Sequence, residues 1–318
     1  MRLIRGLHNI RPDDRGCAAT IGNFDGVHLG HQAVLGQVAE RAGELGLPST
    51  VITFEPQPQE YFAAGEAPPR LTRLREKVSA LRRYGVERVL VLPFGPKLAA
   101  LGAADFVQRV LVDGLQVRYL VVGDDFRFGR GREGDFEFLR RAGERHGFQV
   151  VHMHTFEIDG ARVSSTRVRE ALAAGDLAGA ERLLGRPYRM QGRVAHGDKR
   201  GRTIGFPTAN LFLHRRRSPL SGVFAVEMFG LEQEPVAGVA NVGTRPTVDG
   251  TRALLEVHLF DFDRDIYGRH VAVEFAHKLR DEMRFDAFEA LKAQIGNDVR
   301  EARDWFAARD RHSQGNTQ

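Results

Sequence analysis

The feature that most constrains this chain of 318 residues is a change of texture near Arg186. Before it, brief apolar runs at 18–22, 50–54, 88–92, 119–123 and 149–154 alternate with segments of helical period at 32–46, 72–84, 104–115 and 135–146. Repeated strand-then-helix order predicts a doubly wound parallel sheet with right-handed crossovers, whose ligands bind outside the carboxyl ends of the strands. After Arg186, short runs at 188–193, 222–228, 236–241, 253–260 and 270–275 alternate or are β-branched and are separated by glycine. That pattern predicts a small antiparallel β-barrel, followed by one terminal helix over 286–309. The expected division is therefore 1–185 and 186–312, with a disordered tail over 313–318. The fold class is α/β plus β.

Composition narrows the setting. The 35 glycines exceed the usual share, yet with 13 prolines they stay far below low-complexity levels, so they belong to specific loops. Cys17 is the single cysteine and has no partner for an internal disulfide, which fits a reducing compartment. No uncharged apolar run reaches the ~18 residues of a membrane span, and the start lacks a continuous apolar segment, so a cytoplasmic protein without a membrane partner is expected. The formal net charge of +5 is spread over both halves, and only Arg215-Arg216-Arg217 forms a basic run. A nucleic-acid partner is not expected. The expected assembly is a monomer or a weak homo-oligomer.

The first constellation is Thr20-Ile21-Gly22-Asn23-Phe24-Asp25-Gly26-Val27-His28-Leu29-Gly30-His31, which leaves a strand through a glycine-rich turn and enters a helix. Gly22 and Gly26 allow close backbone approach to a ligand, and the helix start presents free N–H groups, a geometry suited to phosphate. His28 and His31, three residues apart, share one side of the first turn and can donate hydrogen bonds to a phosphoryl group as charge builds on it. One histidine capping the turn while the other packs on the sheet is the plainer alternative. A second fragment, Val163-Ser164-Ser165-Thr166-Arg167-Val168-Arg169, opens another helical run. Its hydroxyls are either ordinary N-caps or, with Arg169, part of a triphosphate site.

Together the two fragments resemble the HxGH nucleotidyltransferase superfamily, with His28, Gly30, His31, Ser165, Thr166 and Arg169 matching position by position. Three decoys fail. Gly129 to Gly134 satisfies G-x-G-x-x-G but lies beyond a charged loop, not at a strand-to-helix turn. Asp261 to Asp265 is followed by Ile266 and Ala272 where a calcium loop needs glycine and glutamate. No Walker loop occurs.

In the second half, residues 192–210 are dense in glycine and cation. Lys199, Arg200 and Arg202 with backbone N–H groups can wrap a polyphosphate, and Thr208 and Asn210 offer neutral oxygens to Mg²⁺; a flexible basic hairpin followed by an Asx turn is the alternative. Glu256 interrupts the apolar strand 254–260 and shares a face with His258 and Phe260. It can act as general base if that face lines a pocket; an outward strand carboxylate is the plainer fate.

The pattern GxVxxGxxxGRxxGFPTAN, then 238–247, then Glu256, resembles the riboflavin kinase family. With the 22–31 motif and Gly123 to Gly129, the whole is similar to the prokaryotic bifunctional riboflavin kinase/FAD synthetase family over about 14–310. The resemblance implies an N-terminal doubly wound nucleotidyltransferase domain that converts FMN and ATP to FAD and pyrophosphate, and a C-terminal barrel that phosphorylates riboflavin with ATP. Riboflavin, FMN and ATP are the implied partners. Mg²⁺ with ATP is the implied cofactor, and no tightly bound redox cofactor is required.

The resemblance also assigns roles. His28 and His31 are catalytic, while Gly22, Phe24, Asp25, Gly26, Gly30, Ser164, Ser165, Thr166 and Arg169 bind ATP in the first half, and Asp125 contacts flavin there. In the second half Glu256 is the base. Gly192, Gly197, Lys199, Gly201, Arg202, Gly205 and Pro207 bind ATP, Thr208 and Asn210 hold the metal, and Arg280, Met283 and Phe285 contact flavin. Gln57 stands where some relatives carry histidine and receives no catalytic role, and Asp125 where some carry asparagine. A nucleotidyltransferase for another phosphorylated substrate and a basic RNA-binding module remain alternatives at this level. ATP-dependent FMN formation separates the bifunctional reading from both.

Overall fold

The computed structural model describes residues 1–63, 65–196, 205–213, 215, 217–247 and 250–315, and packing divides the chain into two units. One comprises Met1–Pro68 and Thr72–Ser165, the other Pro69–Leu71 and Thr166–Gln318.

The first unit is built on six strands: β1 (Arg2–Arg5), β2 (Cys17–Ile21), β3 (Ser49–Glu55), β4 (Arg88–Pro93), β5 (Val117–Gly123) and β6 (Gln149–Met153). All pair in parallel, in the order β1-β4-β3-β2-β5-β6, and a short antiparallel pair, β7 (Glu157–Ile158) and β8 (Ala161–Arg162), follows. Their main crossover helices are α1 (Leu29–Leu45), α3 (Leu74–Arg83), α5 (Ala103–Phe106, continued as a π-helical segment Val107–Val112) and α6 (Phe136–His146); α2 (Pro58–Phe62) and α4 (Pro96–Ala99) are single turns.

Consecutive strand residues are buried on both faces. Val51 and Val89 pack with Leu35 of α1 and Leu81 of α3, while Ile52 and Leu90 pack with Val110 and Leu111 and with Leu139 of α6. This two-sided burial is why the strands read as unbroken apolar runs. Burial also pushes the Cys17 thiol up to about 11, so it is no nucleophile. From β2 the chain steps to β3 on one side, whereas β5 lies on the other. The crevice beyond the carboxyl ends of β2 and β5 is thus the topological switch point, where such sheets bind ligands.

From Thr166 on, α7 (Ser165–Ala174) and then α8 (Leu177–Leu184) belong to the second unit. Six strands then follow: β9 (Arg189–Ala195), β10 (Ala209–Phe212), β11 (Gly222–Phe229), β12 (Val236–Thr247), β13 (Gly250–Leu259) and β14 (His270–Arg280). They form a closed antiparallel barrel in the order β10-β13-β12-β11-β14-β9, with β10 pairing β9.

Strand β11 shows the logic of the barrel. Phe224, Val226 and Met228 are fully buried, and Phe224 meets Phe275 edge-on. The alternate residues Val223 and Ala225 pack instead against Ala302 and Phe306 of the terminal helix α9 (Phe288–Gly315). Paired guanidinium–carboxylate bonds fasten that helix: Arg309 to Glu227, Arg303 to Asp261 and Arg280 to Asp298. Among the described residues no helix is long and apolar enough to cross a membrane.

Candidate active sites

In the first unit the turn after β2 is held in an uncommon conformation. Phe24 and Val27 have φ of 47° and 45°, and Gly26 has φ of 84°. A positive φ is a true outlier for a β-branched residue such as Val27, and strain of this kind concentrates at functional sites. Buried bonds hold it: Asp25 Oδ1 accepts from the Thr72 backbone N–H (2.9 Å) and hydroxyl (3.2 Å), and Gly26 N–H donates to Thr72 Oγ1 (2.9 Å). Asp25 thus shapes the loop.

His28 then caps α1, its Nδ1 accepting from the His31 N–H at 3.3 Å, and the two rings stack with centroids 3.7 Å apart. A Cβ at Gly30 would lie 3.3 Å from His28 Nδ1 and 3.4 Å from the Val163 carbonyl oxygen, so a side chain here would press the His28 ring to give by a few tenths of an ångström. Ser165 Oγ donates to the Asp25 carbonyl (2.9 Å), joining the second motif to the first. Burial holds the His31 imidazole well below the ordinary histidine value, and the charges of His28, Lys77 and Arg162 lower it further. It is therefore neutral at pH 7. His31 Nδ1 is buried with no hydrogen-bond partner among the described residues, so the imidazole has a ring nitrogen to offer a ligand at the start of α1.

Across the switch point, Asp125 pairs with Arg162 (2.8 Å), which holds its carboxyl below the usual range. Asp124 is bonded to Thr155 and to His152. Thr166 and Arg169 lie on α7 within the second unit, where Arg169 Nε donates to the Pro69 carbonyl (2.7 Å).

Two cavities in the second unit are lined by described residues. One, of about 460 Å³, is lined by Glu256 and His258 of β13, Asn241 and Gly243 of β12, Arg280, Met283 and Phe285, and Leu291, Ile295 and Asp298 of α9. The other, of about 390 Å³, is lined by Val194, Pro207 and residues 262–267. Thr208 and Asn210 line both and so form their common wall. Both volumes are in the usual range for small-molecule sites.

Register builds the polar part of the first cavity. Asn210, Glu256 and Asn241 are direct neighbours across β10, β13 and β12, making a row of an amide, a carboxylate and an amide on one face. Leu255 and Val257, on the opposite face, are fully buried. His258 Nδ1 bonds the Pro207 carbonyl at 2.9 Å, tying the segment that carries Thr208 to β13. Gly192 lies on β9 against Leu211 and lines neither cavity; Gly205 is in a turn with φ of 88°. Gly197, Lys199, Gly201 and Arg202 lie outside the described residues. No cluster of three or more His, Cys, Asp or Glu side chains suited to a metal occurs among the described residues.

A family model described as FAD synthetase matches residues 10–167, and one described as riboflavin kinase matches 184–306. A bifunctional riboflavin kinase/FMN adenylyltransferase of Pseudomonas fluorescens is 57% identical, over 95% of this chain and 97% of its own length. Its counterpart in Escherichia coli K12 is 54% identical, over 96% and 98%. The chain belongs to the bifunctional riboflavin kinase/FMN adenylyltransferase family. A solved structure described as a macrolide-efflux protein from Streptococcus pneumoniae superposes with a TM-score of 0.78 at 32% identity, over 95% of this chain and 99% of that one.

Two features of this family member escape the sequence reading. Asn241 is prominent only through its register with Glu256, which nothing local reveals. The other is an aromatic cluster at the carboxyl ends of β3 and β4: Phe94 stands 5.8 Å from Phe54, 5.6 Å from Tyr61 and 5.7 Å from Phe62. Tyr61 is 37% and Phe62 67% exposed. The density of aromatics over 54–62 was its available signal.

Proposed function

We propose that the family's two reactions are divided along the chain, residues 186–312 phosphorylating riboflavin to FMN and residues 1–185 transferring AMP from a second ATP to FMN. The observation that carries the kinase assignment is the wall of Thr208 and Asn210 shared by two cavities. Riboflavin occupies the larger cavity and ATP the other, so the γ-phosphate reaches the ribityl hydroxyl across that wall.

Glu256, flanked in register by Asn210 and Asn241, accepts the hydroxyl proton as the oxygen attacks. The wall presents hard, neutral oxygens in place of a carboxylate cluster, which suits Mg²⁺ arriving with its phosphates. Mg²⁺ bound there neutralises phosphate charge, with Thr208 and Asn210 as its holders.

In the first unit, neutral His31 and its stacked neighbour His28 donate to the α-phosphoryl oxygens, and the start of α1 adds backbone N–H groups. Charge stabilisation of this kind needs no protein nucleophile: the FMN phosphate attacks and pyrophosphate leaves. The exposed face of the aromatic cluster seats the flavin ring. Both reactions consume ATP, which supports a cytoplasmic setting. Chromatography of flavins after incubation with riboflavin and MgATP tests the reading: FMN and then FAD are expected, and recovery of unchanged riboflavin rejects it.

A further inference from the structure

The larger cavity of the second unit has a wall that is not part of the barrel. Met283 and Phe285 follow β14, and Leu291, Ile295 and Asp298 belong to the first half of α9. One guanidinium joins these pieces. Arg280, the last residue of β14, donates from Nε to Asp298 Oδ1 at 2.8 Å and from Nη2 to Asp298 Oδ2 at 2.7 Å. Its Nη1 donates to the Asp281 carbonyl at 3.0 Å, and its Cζ lies 5.9 Å from the centre of the Phe285 ring. Gln294 Nε2 donates to the same carboxylate at 2.9 Å, and Asp298 is only 3% exposed.

A buried, forked ion pair adds little net stability over an apolar pair of the same size, so its value lies in the geometry it imposes. The second half of α9 has its own anchors: Ala302 and Phe306 in the apolar cluster, Arg303 on Asp261 and Arg309 on Glu227. Loosening Asp298 therefore releases the cavity wall without detaching the helix.

We propose that Arg280 and Asp298 are a pair of positioning residues that set riboflavin affinity by holding residues 281–285 and the start of α9 as one preformed wall. This rests on the reading of that cavity as the riboflavin site. Arg280 then serves the flavin through the wall it holds, with its fork committed to Asp298.

The test is steady-state riboflavin phosphorylation by the full chain carrying Asp298→Asn, Arg280→Gln, both together, or Arg280→Lys, with thermal melts to establish folding. Each single change is expected to raise the riboflavin KM about 10- to 100-fold, as for misplacement of a binding surface by about an ångström, with kcat within about threefold and the ATP KM unmoved. The double variant should be no worse than the worse single, because both remove one interaction. Arg280→Lys keeps the charge but not the fork, should give an intermediate rise, and decides the matter if the others do not fold. A riboflavin KM within twofold of the parent, a kcat loss without a KM change, or multiplying effects in the double variant would overturn the proposal. Glu256→Gln run alongside separates the two levels. If it phosphorylates normally, the cavity assignment itself is wrong; if it is inactive while Asp298→Asn behaves as the parent, only the positioning role falls.

Discussion

Glu256→Gln gives the most direct test of how the second unit works. The substitution is isosteric, and position 256 sits between Asn210 and Asn241 in register, so an amide there retains neighbours with which it can hydrogen-bond. Leu255 and Val257, both fully buried, keep the strand in place, so little stability should be lost. What disappears is the proposed proton acceptor. A positioned general base contributes roughly 10² to 10⁴ in rate, or about 3–5 kcal/mol of transition-state stabilisation. The riboflavin-to-FMN rate should therefore fall by that factor with the riboflavin KM nearly unchanged, because the amide still fills the space. FMN-to-FAD conversion, assayed separately from added FMN and MgATP, should keep its parental rate, since Glu256 lies outside the first unit. His28→Ala should give the mirror image, losing FAD formation and retaining FMN formation. A folded Glu256→Gln protein that phosphorylates riboflavin at the parental rate, or that loses both reactions, would refute the reasoning.

Three other outcomes follow from the first unit. Gly30→Ala places a Cβ 3.3 Å from the His28 ring and 3.4 Å from the Val163 carbonyl oxygen; displacement of the stacked pair should cut FAD formation about 10- to 100-fold and spare riboflavin phosphorylation, as separate product assays would register. His31 titrates below its ordinary 6.5 in the folded state, so on acidification the unfolded chain takes up a proton first and the stability this neutral group contributes is lost as pH falls from about 7 through the depressed value. His31→Gln should flatten the fall in Tm of the first unit between about pH 7.5 and 5.5, and an unchanged slope would discount the histidine as its source. Phe62→Ser removes an aromatic that is already 67% exposed; the FMN KM should rise about tenfold with little change in Tm, and an unaltered KM would remove Phe62 from the flavin platform.

The central strands were legible because burial on both faces leaves an unambiguous mark: Thr50-Val51-Ile52-Thr53 and Arg88-Val89-Leu90-Val91-Leu92 admit no solvent face. Strand β1 was not legible. Its four residues hold two arginines and only Ile4 is buried, so pairing with β4 alone makes it a strand. Strand β10 was hidden for another reason. Pro207, Thr208 and Asn210 carry turn signals, and an Asx turn was one of the readings they allowed, yet pairing of β10 with both β9 and β13 makes a strand there and closes the barrel. Helix α1 starts at Leu29, ahead of the expected residue 32, because the His28 side chain supplies a cap that the apolar period cannot show. At the candidate sites, the motifs stood out because the glycine turn and hydroxyl-rich helix start are local. Asn241 and Asp298 could not, since their meaning lies in partners on other elements.

That contrast follows from how the second unit makes its polar site. In a strand, a slip of one residue turns every side chain to the other face, so Glu256 reaches the cavity only while β13 keeps its register with both β10 and β12. Closure removes the free edges along which a strand pair can slide. One glycine shows how tight that fit is: a Cβ at Gly238 would come within 2.4 Å of the His258 carbonyl oxygen, too close to real backbone to be accommodated without moving β12 off β13. His258 in turn holds Pro207 beside the wall shared by the two cavities. A side chain added at position 238 therefore acts on Glu256 and on the wall of Thr208 and Asn210 together, because the same ladder positions both.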